Sequence, residues 1–189
     1  MIDPTSVAFD IDGVIADTMA LFLDIARKEY RVNGIRYEDM TSYLLAECLD
    51  MDPALIDVIL NRIMAGEYAS PLQAISGSGA VLSRIAGYRN PLLFVTARPH
   101  QGPISKWMCD LVRMAPETVQ VVATGTFEGK AKVLLESGIR FFVEDRLETC
   151  YHLKEEGIEP VLYRQPWNRE SHPFIEVGDW QELENLIAF

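Results

Sequence analysis

The chain is 189 residues long and carries a formal net charge of -11 at pH 7. That length sets one domain, or one domain with a small insert, and lets folding bury about 70% of the surface an unfolded chain exposes. The negative charge argues against a nucleic-acid polymer or an anionic membrane as partner, because both require basic patches. In chain order, an apolar run at residues 7–11 predicts the first strand. Helical spacing follows over residues 20–32, stopped by Asn33-Gly34, then over 37–49, and over 53–64 with Asp52 as N-cap. Pro71, Gly77 and Gly79 punctuate the return to strands.

Leu82, Ile85 and Ala86 share one helical face ahead of a strand at 92–95. Ile104, Trp107, Met108 and Leu111 share another ahead of the strand Val119–Ala123. Val133 and Leu134, closed by Ser137-Gly138, precede strands at 141–143 and 160–163. From Gln165 the tail holds a Pro/Trp/Asn/Arg loop and a short helix at 180–187. Strands alternating with helices predict an α/β fold, a parallel sheet covered on both faces, with ligands beyond the carboxyl ends of its strands. Asp10, Thr96 and Asp145 each fall at such an end. Residues 19–76 carry only helical patterns and read as an all-helical insert in a core of residues 1–18 and 77–189. Helices that merely pad the sheet edge are the alternative.

Cys48, Cys109 and Cys150 are odd in number and widely spaced, which suggests neither a disulfide framework nor a metal knuckle. His100, His152 and His172 lack ligand spacing. No stretch approaches the roughly 18 apolar residues of a membrane span. The start, Met1-Ile2-Asp3-Pro4, is unlike a signal peptide, so a reducing cytoplasm is expected.

The densest chemical signal is Asp10-Ile11-Asp12-Gly13 at the end of the first strand. Side chains two apart in a strand point to the same side, so two carboxylates would crowd together and call for a counter-charge. Mg²⁺ suits them, because hard cations take oxygen ligands. An exposed β-turn with two aspartates is the bland alternative. Three further stretches fit the same site: Phe94-Val95-Thr96-Ala97-Arg98, Gly129-Lys130-Ala131-Lys132 and Phe142-Val143-Glu144-Asp145-Arg146.

In that order, the segment from Val7 to Thr18 and these three stretches resemble the four motifs of the haloacid dehalogenase (HAD) superfamily of phosphotransferases. The resemblance spans roughly residues 5 to 150. It implies a HAD-like Rossmannoid sheet with the helical segment as a small cap, and Mg²⁺-dependent hydrolysis of phosphomonoesters. Asp10 would be the nucleophile that forms an aspartyl-phosphate, and a metal ligand. Asp12 would bind metal through its main-chain carbonyl and use its side chain as general acid and base, which requires a raised pKa.

Thr96 and the Ala97 N–H would donate to phosphoryl oxygens. Lys130, or alternatively Lys132, would neutralise Asp10 and the phosphoryl group. Asp145 would ligate Mg²⁺, with Glu144 close behind or acting through water. Gly13 would let the backbone turn tightly around the phosphate. Arg98 and Arg146 would bind a second anionic group of the substrate, or else pair with Glu144 or Glu148.

Glu144-Asp145-Arg146 and the run Val161-Leu162-Tyr163-Arg164-Gln165-Pro166-Trp167-Asn168-Arg169 are similar to 5′(3′)-deoxyribonucleotidases. Thr96-Ala97-Arg98-Pro99 with Ile104-Ser105-Lys106-Trp107 is similar to bacterial nucleotidases. A nucleotide is thus the expected substrate, with Phe22, Tyr30, Tyr37, Tyr43 and Tyr68 as stacking candidates or plain core. A sugar phosphate or phosphoglycolate-type metabolite stays open as substrate. A non-catalytic phosphate-binding module and a receiver domain are the readings from other classes.

Overall fold

The computed structural model describes residues 1–112 and 116–189. Its six strands are β1 (Val7–Phe9), β2 (Leu92–Thr96), β3 (Val119–Ala123), β4 (Phe141–Glu144), β5 (Glu159–Tyr163) and β6 (Ile175–Val177). They form one sheet in the order β3-β2-β1-β4-β5-β6, every neighbouring pair parallel. β1 lies inside, with Phe9 opposite Phe94 on one side and Val143 on the other. Central strands of a parallel sheet are buried on both faces and therefore read as unbroken apolar runs. Alternation sends Val7, Phe9, Leu92 and Phe94 into the larger core, and Ala8, Leu93, Val95 and Phe142 into the smaller one.

The helices are α1 (Thr18–Tyr30), α2 (Pro53–Ala65), α3 (Ser78–Ile85), α4 (Gly102–Val112), α5 (Gly129–Glu136), α6 (Leu147–Glu155) and α7 (Trp180–Leu186). Asp17, Asp52 and Asp179 cap α1, α2 and α7 by accepting from backbone N–H groups of the first turn. On α4, Ile104 and Met108 are buried and Trp107 packs on the same core. The side chain of Leu111, expected on that face, lies outside the described residues. No described helix is long and apolar enough to cross a membrane.

Two expectations need correction. Residues 37–49 are not a continuous helix but two 3₁₀ turns, Tyr37–Asp39 and Leu45–Glu47. Met40 and Leu44 leave the helical region, and Ser42 takes up Leu44 N and Glu47 in a local hydrogen-bonded loop that competes with the helix. The edge strand β6 was not anticipated, because three residues in a polar tail carry too little pattern. The chain enters and leaves the helical segment side by side, Asp17 N donating to Gln73 O (2.9 Å) and Ile75 N to Ile15 O (2.7 Å).

After β3 the chain crosses back to β4 on the far side of β1. The strand order therefore reverses between β1 and β4, where open α/β sheets leave a crevice.

Candidate active site

β1 ends as Asp10 N donates to Val143 O (2.9 Å), and a tight turn follows in which Ile15 N and Ala16 N both donate to Ile11 O. Gly13 sits in that turn at φ 74°. A Cβ there would lie 2.7 Å from Asp145 Cγ and 3.1 Å from Trp167 Cζ2, so the turn can press against β4's end only with glycine.

That approach completes an acidic cluster. Carboxylate oxygens of Asp10, Glu144 and Asp145, all buried, lie within 4.8 Å of one another. Lys130, in the first turn of α5 and 1% exposed, places Nζ 3.0 Å from Asp10 Oδ1 and 2.8 Å from Glu144 Oε2. The other Glu144 oxygen accepts from the N–H groups of Asp145 (3.1 Å) and Arg146 (3.0 Å). Lys132 points away, exposed, 3.9 Å from Glu136. Lys130 is thus the lysine brought into the site.

One ammonium faces three carboxylates, and the electrostatics show the deficit. Burial, aided by Glu144 and Asp12 and opposed by Lys130, pushes Asp10 up to about 7. Burial and the charges of Glu144 and Asp10 push Asp145 well above the carboxylate range. For Lys130 burial opposes the charge, but Asp10 and Glu144 outweigh it and raise its pKa. Asp10 Oδ1, though close to Nζ, accepts no well-directed hydrogen bond. Oxygen-only donors short of positive charge fit a hard divalent cation.

Asp12 departs from expectation. Its Oδ1 accepts from Thr18 Oγ1 (2.5 Å) and Arg98 Nη2 (2.7 Å), and its Oδ2 from Arg98 Nε (2.9 Å). Burial alone would raise its pKa, but the Arg98 charge and these hydrogen bonds overcome it and hold the carboxyl below its ordinary value. Arg98 is paired with Asp12, not with Glu144 or Glu148, and it also lines the cleft. A third contact, Nη1 to Ile63 O (3.3 Å), reaches the end of α2.

Thr96, 1% exposed at the end of β2, accepts from Arg98 N through Oγ1 (3.2 Å). Arg146 sits 3.4 Å from Glu148, its guanidinium 3.9 Å from the Phe127 ring centre and 4.9 Å from that of Tyr43. The cleft over these groups measures about 250 Å³. Its floor includes Asp10, Asp12, Thr96, Ala97 and Asp145, and its walls include Met19, Leu60, Met64, Tyr43 and Trp167.

Residues 4–189 match the family model described as 5′ nucleotidase, deoxy (pyrimidine), cytosolic type C protein. The chain belongs to this nucleotidase family. It is a hydrolase of the HAD superfamily, a phosphatase. Among curated proteins no match is found.

Solved structures of low identity show the same fold. A HAD-superfamily hydrolase from Ehrlichia chaffeensis is 14% identical, covers 98% of this chain and 97% of its own, and has a TM-score of 0.56. A haloacid dehalogenase-like hydrolase from Streptococcus pneumoniae is 14% identical, covers 96% of each chain and has a TM-score of 0.59. A HAD-superfamily hydrolase from Geobacter sulfurreducens is 18% identical, covers 96% of this chain and 98% of its own, and has a TM-score of 0.57.

In this nucleotidase-family chain several side chains make contacts that no sequence pattern indicates. Gln165 Nε2 donates to Gly13 O (2.6 Å), and Tyr37 OH donates to Gln165 Oε1 (3.0 Å). Trp167 Nε1 donates to Asp145 Oδ2 (3.0 Å), while Asn168 Nδ2 donates to Asp145 O (2.7 Å) and Tyr163 O (2.9 Å). Thr18 closes the first-motif segment and donates to Asp12 Oδ1. The Gln-Pro-Trp-Asn string was the available signal, though nothing local indicates what it holds. Of the five stacking candidates, Tyr43 lines the cleft and Tyr37 packs on Trp167 with ring centres 6.0 Å apart. Phe22 is core, and Tyr30 pairs its hydroxyl with Arg62.

Proposed function

We propose that the chain is a Mg²⁺-dependent phosphomonoester hydrolase acting on a nucleoside monophosphate through an aspartyl-phosphate at Asp10. The observation that carries this reading is the buried Asp10–Lys130–Glu144–Asp145 cluster opening into the cleft that Thr96 and Asp12 share. Family membership supports the nucleotide. The apolar and aromatic walls around Met64, Tyr43 and Trp167 suit a flat base better than a bare sugar.

An Asp10 oxygen attacks phosphorus, a P–O bond to the nucleoside breaks, and the leaving alkoxide takes a proton. Water then attacks the phosphorus of the aspartyl-phosphate, loses a proton to a base, and releases inorganic phosphate and free Asp10. Lys130 neutralises Asp10 and the phosphoryl oxygens throughout, and Thr96 Oγ1 with Ala97 N–H orients them. Asp12, held ionised by Arg98, is set as the base of the second half: it takes the proton of the attacking water and hands that proton to the leaving alkoxide of the next turnover. Asp10, Asp145 and the main-chain carbonyl of Asp12 would hold Mg²⁺, which when bound neutralises charge on the phosphoryl group.

The helical segment from α1 to α2 serves as a cap over the cleft, and Arg98, reaching Ile63 O, is one of its ties to the core. The cytoplasm is the proposed setting, in keeping with three unpaired cysteines.

The test is turnover with Mg²⁺ against ribo- and deoxynucleoside monophosphates, sugar phosphates and phosphoglycolate. Wild type should hydrolyse deoxynucleotides best, and Asp10→Asn should neither turn over nor trap phosphate. Inert deoxynucleotides beside an active sugar phosphate would remove the nucleotide while keeping the chemistry. No turnover of any ester would leave a binding module.

A further inference from the structure

The loop after β5 makes a set of contacts that the phosphoryl chemistry does not use. Within four residues it supplies hydrogen bonds to both halves of the acidic site. Gln165 Nε2 takes the Gly13 carbonyl (2.6 Å), Asn168 Nδ2 the Asp145 carbonyl (2.7 Å), and Trp167 Nε1 the Asp145 carboxylate (3.0 Å). The loop is itself braced: Asn168 Oδ1 accepts from Gln165 N (2.9 Å), and Asn168 Nδ2 also donates to Tyr163 O (2.9 Å). Asn168 is 1% exposed, so these bonds compete with little water. Gly13 lacks a side chain where Asp145 and the Trp167 ring press in.

We propose that Trp167 is a positioning residue for metal binding, its indole N–H holding Oδ2 of Asp145 so that the other oxygen meets the divalent cation. The inference rests on the reading of Asp145 as a metal ligand. A carboxylate free to rotate presents either oxygen in many directions, whereas one pinned by a donor presents a single oxygen in one. The indole suits the task because it donates and never accepts, so it cannot compete for the cation. Partners of this kind, one step removed from the metal, set ligand orientation and tune affinity.

The other two tryptophans spend their indole N–H on backbone carbonyls, Trp107 on Leu72 O (3.0 Å) and Trp180 on Val14 O (2.9 Å). Only Trp167 of the three addresses a carboxylate.

The experiment is Mn²⁺ titration of the full chain, followed by electron paramagnetic resonance without substrate, comparing wild type with Trp167→Phe. Thermal unfolding with and without Mg²⁺ runs alongside. The variant keeps a ring on Tyr37 but loses the donor. The expected result is a Mn²⁺ dissociation constant about 10–100-fold weaker, as for other partners of metal ligands. The Mg²⁺-induced rise in unfolding temperature should shrink, and the metal-free unfolding temperature should change less.

Wild-type Mn²⁺ affinity in Trp167→Phe overturns the inference and leaves the metal site standing. Failure of the wild-type chain to bind Mn²⁺ overturns both. Should Trp167→Phe not fold, the ¹⁵N-labelled indole resonances of the wild-type chain answer the same question. One of the three should move far more than the others at Mg²⁺ saturation; three unmoved or equally displaced peaks overturn the proposal.

Discussion

Arg98 grips Asp12 with a two-pronged hydrogen bond, Nη2 to Oδ1 at 2.7 Å and Nε to Oδ2 at 2.9 Å, from 86 residues away. The same guanidinium reaches the carbonyl of Ile63 at the end of α2. A side chain expected to bind substrate therefore ties Asp12, the proposed acid and base, to the end of α2.

Replacing Arg98 tests that tie. Lysine keeps the charge but loses the planar fork, so Arg98→Lys should orient Asp12 poorly. We expect the aspartyl-phosphate to accumulate because its hydrolysis slows, by up to the ~10²–10⁴-fold that a positioned base contributes. Rapid acid quench with ³²P-labelled substrate measures it. A rise in KM at unchanged kcat would return Arg98 to substrate binding.

Asp12→Asn should leave Mg²⁺ affinity near wild type, because the carboxylate is spent on Arg98 and Thr18 and the expected ligand is the main-chain oxygen. Turnover should fall ~10²–10⁴-fold. Calorimetric titration with Mg²⁺ alone separates the two effects, and a large loss of metal affinity contradicts the assignment.

Lys130→Met removes the ammonium that sits between Asp10 and Glu144. Breaking a buried pair leaves an uncompensated charge, and a cost of about 3–5 kcal/mol is expected. Urea unfolding without metal should show it, and saturating Mg²⁺ should restore part of the loss. Lys132→Ala, changed at an exposed position, should alter neither stability nor turnover.

Glu176 accepts from His172 (3.0 Å), Arg164 (2.7 Å) and Arg169 (3.1 Å). Burial would raise its pKa, but these hydrogen bonds prevail and hold it at about 2 against an ordinary 4.5. A depressed folded pKa contributes stability that is present above the unfolded value and lost as pH falls through the folded one. Glu176→Gln should therefore destabilise the chain at pH 7. Between about pH 4.5 and 2 the difference should close, because wild type loses the same contribution. Denaturation midpoints of both chains across that range measure it.

Sequence alone carried the strands β1 to β5, most helices, the parallel sheet, and Asp10, Thr96, Lys130 and Asp145 as candidates for one rim. Asp10, Thr96 and Asp145 are announced locally: an apolar run long enough to cross the sheet, then a polar group where the strand runs out. β6 and the loop at residues 37–49 escaped, because three residues of strand and a Ser42-centred turn leave too short a pattern. The choice between Lys130 and Lys132 was likewise not local, since two residues apart on α5 they lie on opposite faces and only the packing decides which face meets the acidic cluster.

Partner choice belonged wholly to tertiary structure. Nothing near Asp12 announces Arg98, and nothing near Gly13 announces Gln165, 152 residues on. Periodicity encodes which face of an element is buried, and so fixes where a strand ends. Which donor meets which carboxylate depends on how loops at those ends pack, and there buried charge is satisfied by whichever group the fold brings within about 3 Å.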